Sequence, residues 1–346
     1  METLLTVIVP SYNAQAYLGK NLTSLCEGGQ RMADRARVEI LVINDGSSDR
    51  TGAIGEYYAG TYPGLVRVIH KENGGHGSGI NCGVREAAGR WLKVVDADDW
   101  VDPEGFFHLL EALEKSEDDA VVSGFYWRYD NGSGDEETFE KKVEIRDPFP
   151  GVQYGVSYKF DEIADRLYLK MHGITWRTEM IRNVPCAIDE HCYYVDAEYI
   201  LYPIPWVKRI SFVADFVYQY RIGRGGQSVS PEKMIQNKKN YDKVLESLFH
   251  YYERCSKGEI TCSQAALAYM ERGIARIAAG KIKILLSLPS GWEARNELVQ
   301  FEHQLKSQYP SIYRANGNRA VSLLRLSRYS LYRPAAWMLQ RKKREF

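Results

Sequence analysis

Three carboxylates, Asp96, Asp98 and Asp99, follow directly on an apolar segment. Residues 91–95 predict a buried strand that ends in a turn at these acids. Carboxylates crowded in a turn repel one another, which disfavours ionising all of them unless a cation lies among them. A hard divalent ion, Mg²⁺ or Mn²⁺, with a phosphate completing its shell suits such oxygen ligands. The alternative is a solvated acidic turn before a helix, since Asp102-Pro103-Glu104 is a good helix start.

Two more polar segments follow apolar strands earlier in the chain. Tyr12 and Asn13 come after the predicted strand 4–9, and Asp45-Gly46 comes after the predicted strand 38–44. In open parallel sheets, ligands bind at the carboxyl ends of the strands. The three polar strand ends therefore predict one binding edge.

Strands and helices alternate over the first hundred residues. The predicted strands are 4–9, 38–44, 66–69 and 91–95, and the predicted helices are 14–26, 51–59 and 79–88. Short buried strands interleaved with helices are typical of a doubly wound sheet with right-handed crossovers. The expected fold class is α/β, with a mostly parallel, Rossmann-like central sheet and helices on both faces.

Composition narrows the class of partner. The chain has 346 residues and a net charge of zero, which argues against a general nucleic-acid binder. The charge is unevenly placed, because residues 314–346 hold nine Arg or Lys and one acid. Six cysteines without CxxC spacing are typical of reduced thiols in a cytoplasmic protein. The sequence shows neither a signal peptide nor a stretch of about 18 apolar residues that would span a membrane.

Segments 6–13, 42–51 and 95–99, in this order, resemble the motifs of the family 2 glycosyltransferases. The resemblance covers about residues 1–230. It implies the GT-A fold, an inverting and metal-dependent transfer, a nucleotide-sugar donor, and Mn²⁺ or Mg²⁺ as the cofactor. Without the Gln-x-x-Arg-Trp motif of processive members, it implies addition of a single sugar.

The resemblance also implies a donor site. Asp45 would contact the nucleotide base, and the main chain around Pro10, Tyr12 and Asn13 would line its pocket. A type I′ or capping turn is the purely structural alternative for Asp45.

The DxD pair of the family is matched by Asp96 and Asp98. Asp96 would lie near the ribose and contribute to the metal site, while Asp98 would bind the metal that bridges the diphosphate. Asp99 is the extra acid beside the pair, expected either to reach the metal through water or to cap the next turn.

A glycine-rich loop, residues 73–81, leads into a predicted helix, and its backbone N–H groups could approach a phosphate. The loop lacks the GxGxxG fingerprint of dinucleotide sites. Many family members carry an arginine where this chain has Ile80, which leaves His76 as a candidate replacement.

The general base is expected at Asp196. The acid at the second position of a Glu-Asp-like motif fills this role in the family, and Asp196 matches it although Val195 replaces the first acid. A base must deprotonate the acceptor hydroxyl in an inverting transfer. A helix N-terminus at Asp196 would lower its pKa, and an N-cap role is the structural alternative. Asp189, Glu190 and Glu198 are weaker candidates.

Other site residues are expected around this base. His172 and Glu198 are candidate acceptor contacts, with a hydrogen-bonded, half-buried histidine as the alternative for His172. Arg221 and Arg224 could neutralise the departing diphosphate.

Residues 231–346 carry only helical signals, over about 231–256, 263–286 and 291–309. We expect a glycosyltransferase domain over 1–230, with a nucleotide-binding half (1–100) and an acceptor half (101–230), and a helical region over 231–346. Its basic tail carries interspersed apolar residues that do not fall on one helical face. The tail could contact an anionic membrane surface, form a homodimer or stay solvated.

The expected function is transfer of one sugar, with a UDP-sugar as the expected donor, to a glycan or lipid-linked acceptor. The expected location is the cytoplasm, including the inner face of the membrane. A catalytically weakened scaffold protein of a polysaccharide assembly is the main alternative. A sugar nucleotidyltransferase is disfavoured, because Pro10-Ser11-Tyr12-Asn13 is no Gly-rich, basic loop.

Overall fold

A computed structural model describes residues 2–32, 37–131, 133, 136–223, 231–288 and 291–342. The chain divides into two compact units, Met1–Gly225 and Gly226–Phe346, and each is described by itself. Arg224 lies outside the described residues. The division of the first unit into a nucleotide-binding and an acceptor half stays a prediction.

The first unit interleaves strands with helices. Its strands are β1 (Leu5–Ser11), β2 (Val38–Asp45), β3 (Val66–Lys71), β4 (Trp91–Val94), β5 (Trp100–Val101), β6 (Ala120–Tyr129), β7 (Glu140–Val143), β8 (Ser157–Lys159), β9 (Ile174–Arg177) and β10 (Arg209–Ile222). Its α-helices are α1 (Leu18–Gly29), α2 (Thr51–Thr61), α3 (His76–Glu86), α4 (Pro103–Lys115), α5 (Phe160–Ile163), α6 (Thr178–Arg182) and α7 (Asp196–Leu201).

The strands form one sheet in the order β3-β2-β1-β4-β9-β6-β10-β5, with β7 beside β6 and β8 beside β10. The first four strands are parallel, β6 and β10 are parallel to each other, and β9 joins the two groups antiparallel to both. Every residue of β1 is buried, which explains its largely apolar sequence. The predicted α/β class with a mostly parallel central sheet is confirmed.

Helix α3 lies unusually close to the sheet. A Cβ on Gly83 would come within 2.5 Å of the Ile8 side chain, so a larger residue would push the helix away from β1. The N-terminus of α3 is therefore held at the carboxyl edge of β1, where the binding site was predicted.

Two helix starts differ from prediction. Helix α1 begins at Leu18 rather than at residue 14, because the backbone N–H groups of Ala14 and Gln15 bind the Thr51 and Asp49 side chains instead. Helix α3 begins three residues earlier than predicted, at His76, because Gly75 at φ 84° turns the chain into it.

The second unit is helical throughout its described residues. Its helices are α8 (Pro231–Gln236), α9 (Lys238–Ser256), α10 (Gln264–Ser287), α11 (Trp292–Gln308), α12 (Pro310–Ala315), α13 (Arg319–Leu326) and α14 (Tyr332–Lys342). The long helix α10 packs against α9, α11, α12 and α14. Within the described ranges, no helix of either unit has both the length and the apolar character needed to cross a bilayer.

Candidate active site

The acidic turn between β4 and β5 is closed by its own backbone. The Asp99 N–H donates to the Asp96 carbonyl at 3.0 Å. The buried Asn21 amide on α1 donates to the carbonyls of Asp96 and Asp99 at 2.9 and 3.0 Å. The turn is thus fixed by its own backbone bond and by α1. The environments of its three carboxylates then differ, as follows.

Asp99 belongs to the interior, with 1% of its surface exposed. Its carboxylate accepts from the Tyr218 hydroxyl at 2.5 Å and from the Arg221 N–H at 2.8 Å, both on β10. Burial, and then the charges of Asp98 and Asp96, raise the pKa of Asp99 well above its usual range. The helix cap that was one expectation for Asp99 belongs to Asp102, which accepts from the Gly105 N–H at 2.8 Å.

Asp96 and Asp98 are half-buried rather than enclosed. Asp96 Oδ1 lies 2.8 Å from His76 Nε2 at the start of α3. Burial alone would lower the pKa of His76, but Asp96, and then Asp196 and Asp98, more than offset burial and raise that pKa. His76 was only a weak candidate from the sequence, and the structure places it among the predicted site carboxylates.

His172 lies beside the acidic turn in a box of aromatic rings. Its ring lies 5.1 Å from that of Phe125 and 4.2 Å from that of Tyr220, between centroids. Burial lowers the pKa of His172 to about 4, so the imidazole is neutral at pH 7. Its Nδ1 finds no hydrogen-bond partner in the part of the chain that the structure describes.

One group of side chains has the composition of a metal site. Ligand atoms of Asp96, Asp99 and His172 lie within 4.8 Å of one another. This group shares only Asp96 with the predicted pair Asp96 and Asp98. Mutually repelling carboxylates fit a divalent cation near this turn, and an unpartnered imidazole nitrogen lies beside them. The assignment of individual ligands stays a prediction.

Lys93, inside β4, was not singled out as a site residue from the sequence. It is fully buried, and its Nζ donates to the carbonyls of His172 and Ile174 at 2.9 and 3.3 Å. Burial lowers the pKa of Lys93 to about 7. Lys93 thereby connects β4 to the segment that carries His172. The sequence signal that could have identified this residue is a lysine among the apolar residues of a buried strand.

Asp45 is 3% exposed and is occupied by its own surroundings. It accepts from Lys71 Nζ at 2.6 Å and from the N–H groups of Gly74 and Gly75 at 3.0 and 2.8 Å. These two N–H groups of the glycine-rich loop, expected to face a phosphate, therefore bind a carboxylate of the protein. The contact of Asp45 with a nucleotide base stays a prediction.

The first strand end is more open. Tyr12 is 56% exposed, and Asn13 adopts the left-handed conformation at φ 49°. Asn13 Oδ1 accepts from the Ser48 N–H at 2.9 Å, which joins the β1 and β2 loops. Pro10 is buried against Gly79 of α3. The three strand ends thus meet at one edge, as their positions in the sequence predicted.

The segment that carries Asp196 docks on the start of α3. The His191 N–H donates to the Gly74 carbonyl at 2.5 Å. A Cβ on Gly77 would lie 2.1 Å from the Asp189 carbonyl oxygen, so only glycine permits this approach. The segment and the glycine-rich loop therefore form one surface, although 115 residues separate Gly74 from Asp189 in sequence.

Asp196 is the first residue of α7, and Val195 occupies the cap position. Its pKa is raised to about 6 rather than lowered, so the expected depression by the helix N-terminus is wrong. Withdrawal of water by the surrounding protein is the main cause, and it outweighs the nearby His76. Asp196 is nevertheless an exposed residue by surface area, as an acceptor-facing base must be, although protein atoms surround its carboxyl group.

Glu198 differs from Asp196 in being fully buried, and it accepts from the Asp189 N–H at 2.7 Å. Arg221 is 4% exposed. Its Nε donates to the Asp98 carbonyl at 3.0 Å, and its guanidinium lies over the rings of Tyr17, Trp100 and Phe139. Arg221 thus supports the acidic turn from behind, and its contact with a diphosphate stays a prediction.

Comparison with known proteins agrees with this fold. The sequence profile of glycosyl transferase family 2 matches residues 6–176. The uncharacterized glycosyltransferase EpsJ of Bacillus subtilis is 37% identical over 256 residues, which are 72% of this chain and 71% of EpsJ.

Two solved structures share the fold. S. aureus TarS 1–349 in complex with UDP-GlcNAc matches with a TM-score of 0.63 at 18% identity, over 99% of this chain and 91% of that chain. The mannosyltransferase PcManGT from Pyrobaculum calidifontis, in complex with GDP-Man and Mn²⁺, matches with a TM-score of 0.52 at 15% identity, over 98% and 87%. The chain is a glycosyltransferase and belongs to glycosyl transferase family 2.

Proposed function

We propose that this enzyme moves one sugar from a nucleotide-diphosphate sugar to an acceptor hydroxyl, with inversion at the anomeric carbon. The observation that carries the proposal is the position of His76. Its Nε2 lies 2.8 Å from Asp96 Oδ1, and Asp96, Asp196 and Asp98 all act on its pKa. The predicted donor residues and the predicted base, about 100 residues apart in sequence, therefore share one histidine neighbour.

Asp196 is the proposed general base. It takes the proton of the acceptor hydroxyl as that oxygen forms a bond to the anomeric carbon, and the bond from this carbon to the diphosphate oxygen breaks with its electron pair. Attack from the face opposite the leaving group inverts the configuration. A pKa of about 6 suits this role, because the group is ionised at pH 7 yet more basic than an ordinary carboxylate.

Asp96 and Asp98 are the proposed ligands of a divalent ion, Mn²⁺ or Mg²⁺. We prefer Asp98 to Asp99 because both oxygens of Asp99 already accept hydrogen bonds from β10. The unpartnered Nδ1 of His172 is a further nitrogen at this turn. When bound, the ion would neutralise charge on the diphosphate.

The nucleotide is proposed to lie along the edge formed by Pro10, Tyr12, Asn13 and Asp45, with Arg221 and Arg224 near the diphosphate. The exposed Tyr12 ring suits a flat base. A UDP-sugar is the proposed donor, supported by the UDP-GlcNAc bound to TarS.

On the acceptor side, His172 is proposed to contact a glycan or lipid-linked acceptor. Glu198 is proposed to act indirectly on the acceptor, because its carboxylate is fully buried and holds the Asp189 backbone.

We place the enzyme in the cytoplasm, supported by six free cysteines, of which four are buried. For the basic tail, homodimer formation is the alternative to contact with a membrane.

The test begins with a thermal-shift screen of nucleotide sugars, each with and without Mn²⁺. The donor that stabilises the protein most is then used with candidate acceptors, and the anomeric configuration of the product is read by proton NMR. We expect metal-dependent stabilisation by UDP-sugars and inversion. Retention of configuration would overturn the proposed mechanism, and equal stabilisation without metal would overturn the metal site.

A further inference from the structure

The basic tail forms two helices, each with a buried and an exposed face. Val321 and Leu324 on α13 are at most 4% exposed, as are Tyr332 and Ala336 on α14. The tail between residues 319 and 340 is therefore packed on the second unit rather than solvated. The apolar residues of the tail fall on no single helical face in the sequence because they are divided between the buried and the exposed faces of these two helices.

A buried ion pair fixes which face of α13 points outward. Glu302 on α11 is 1% exposed and accepts from Arg325 Nε and Nη2 at 2.6 and 2.9 Å. Arg325 Nη1 donates to the Tyr313 carbonyl at 2.7 Å, and the Tyr329 hydroxyl donates to Glu302 at 3.1 Å. Removing either charge would leave the other buried and unpaired, so rotation of α13 about its axis is disfavoured.

The outward residues are apolar and cationic. On α13 they include Arg319, Leu323 and Leu326, spaced four and three residues apart along one stripe. On α14 they include Trp337 and Met338, 59% and 58% exposed. The sequence has no acidic residue between Glu302 and Glu345.

We propose that these side chains form a docking face for an anionic lipid bilayer. The docking face comprises Leu323, Leu326, Leu331, Trp337 and Met338, with Arg319, Arg328 and Arg333, all of them exposed. Leu, Met and Trp side chains enter the boundary between headgroups and acyl chains, while Arg side chains reach the anionic headgroups.

Charge selects lipid over a second copy of the chain. A two-fold interface places the same patch on both partners, so a dimer built on the docking face would set arginines against arginines without intervening acids. An anionic bilayer supplies the missing negative charge. The inference is independent of the proposed sugar transfer, because the docking face contains no site residue.

The test uses the full chain and vesicles of phosphatidylcholine, with and without phosphatidylglycerol. We expect co-sedimentation with the anionic vesicles that weakens as salt is added. The pair of changes Leu326→Ser and Trp337→Ala should lower the partition coefficient about tenfold. The control is Trp292→Ala, since Trp292 on α11 is 76% exposed but outside the docking face, and it should bind as the parent does.

A second measurement does not depend on the folding of the paired variant. Brominated lipids should quench tryptophan fluorescence in the parent and in Trp292→Phe, and much less in Trp337→Phe. Failure of the parent to bind anionic vesicles at low salt, or equal quenching in all three proteins, would overturn the proposal. So would a dimer in sedimentation velocity that the paired changes convert to a monomer while vesicle binding persists unchanged.

Discussion

The acidic turn at residues 96–99 and the base segment at residues 189–198 both position carboxylates, but different contacts hold them in place. Each contains one carboxylate that is buried and holds its loop, Asp99 in the turn and Glu198 in the segment. Each also keeps less buried carboxylates, Asp96 and Asp98 in the turn and Asp196 in the segment. The turn accepts hydrogen bonds from α1 and β10, whereas the base segment donates a backbone hydrogen bond to the loop at the start of α3.

The two regions differ in the neighbouring charges that act on the pKa values of their carboxyl groups. Burial raises the pKa of Asp99 most, and the charges of Asp98 and Asp96 raise it further, a repulsion that a divalent cation would relieve. Burial is also the main cause of the raised pKa of Asp196, but the next largest influence is the nearby His76, which lowers that pKa. Asp99 thus has like charges as its main electrostatic neighbours, whereas Asp196 has a histidine as well as Asp96.

The largest effect should follow Asp196→Asn. The amide cannot take a proton, so the transfer rate should fall about 1,000-fold, while donor binding stays unchanged. Single-turnover transfer and calorimetric titration of UDP with Mn²⁺ measure the two quantities. Transfer at the parent rate would remove Asp196 from the mechanism, and Glu190→Gln serves as the control on an exposed acid nearby.

Asp98→Ala should weaken metal-dependent UDP binding by about 100-fold, because it removes a proposed ligand of the ion. Binding without metal should change little. Calorimetric titration with and without Mn²⁺ separates the two. Unchanged Mn²⁺-dependent affinity would refute Asp98 as a ligand and leave Asp96, Asp99 and His172 as the candidate set.

Asp99→Ala should act on stability more than on chemistry. It strips the acceptor from the buried Tyr218 hydroxyl and Arg221 N–H, which should cost roughly 3 kcal/mol of unfolding free energy. Urea unfolding measures the loss. Asp98→Ala is the matched control and should cost far less, so equal losses in the two variants would contradict the division of roles within the turn.

The smallest effect is a shift of ionisation. In the metal-free protein, the Asp196 carboxyl should titrate near pH 6, about two units above an ordinary aspartate. Since only the ionised form accepts a proton, transfer should decline as the pH falls through this value. Carbon-13 NMR of labelled carboxyl groups, assigned with Asp196→Asn, measures the pKa, and titration near pH 4 would contradict the role of lost water.

Much of the site followed from local pattern. The strands that end at Asp45 and Asp96 were predictable because both are short, apolar and followed by turn residues. The meeting of their ends followed from the geometry of parallel strands. His76 was harder, because its contact with Asp96 depends on Gly75 starting α3 early and on Gly83 allowing α3 to lie close to β1.

By itself, the sequence determined the family, the alternation of strands and helices, and the acids at the strand ends, since these are properties of neighbouring residues. Only the tertiary structure decided which of these acids is buried and which stays accessible. Asp98 and Asp99 are adjacent in sequence, yet β10 binds the carboxylate of Asp99 and leaves that of Asp98 half-buried at the cleft. The hydrogen-bond partners of Asp99 lie on β10, more than 100 residues away in sequence, and burial is the main cause of the raised pKa of Asp99.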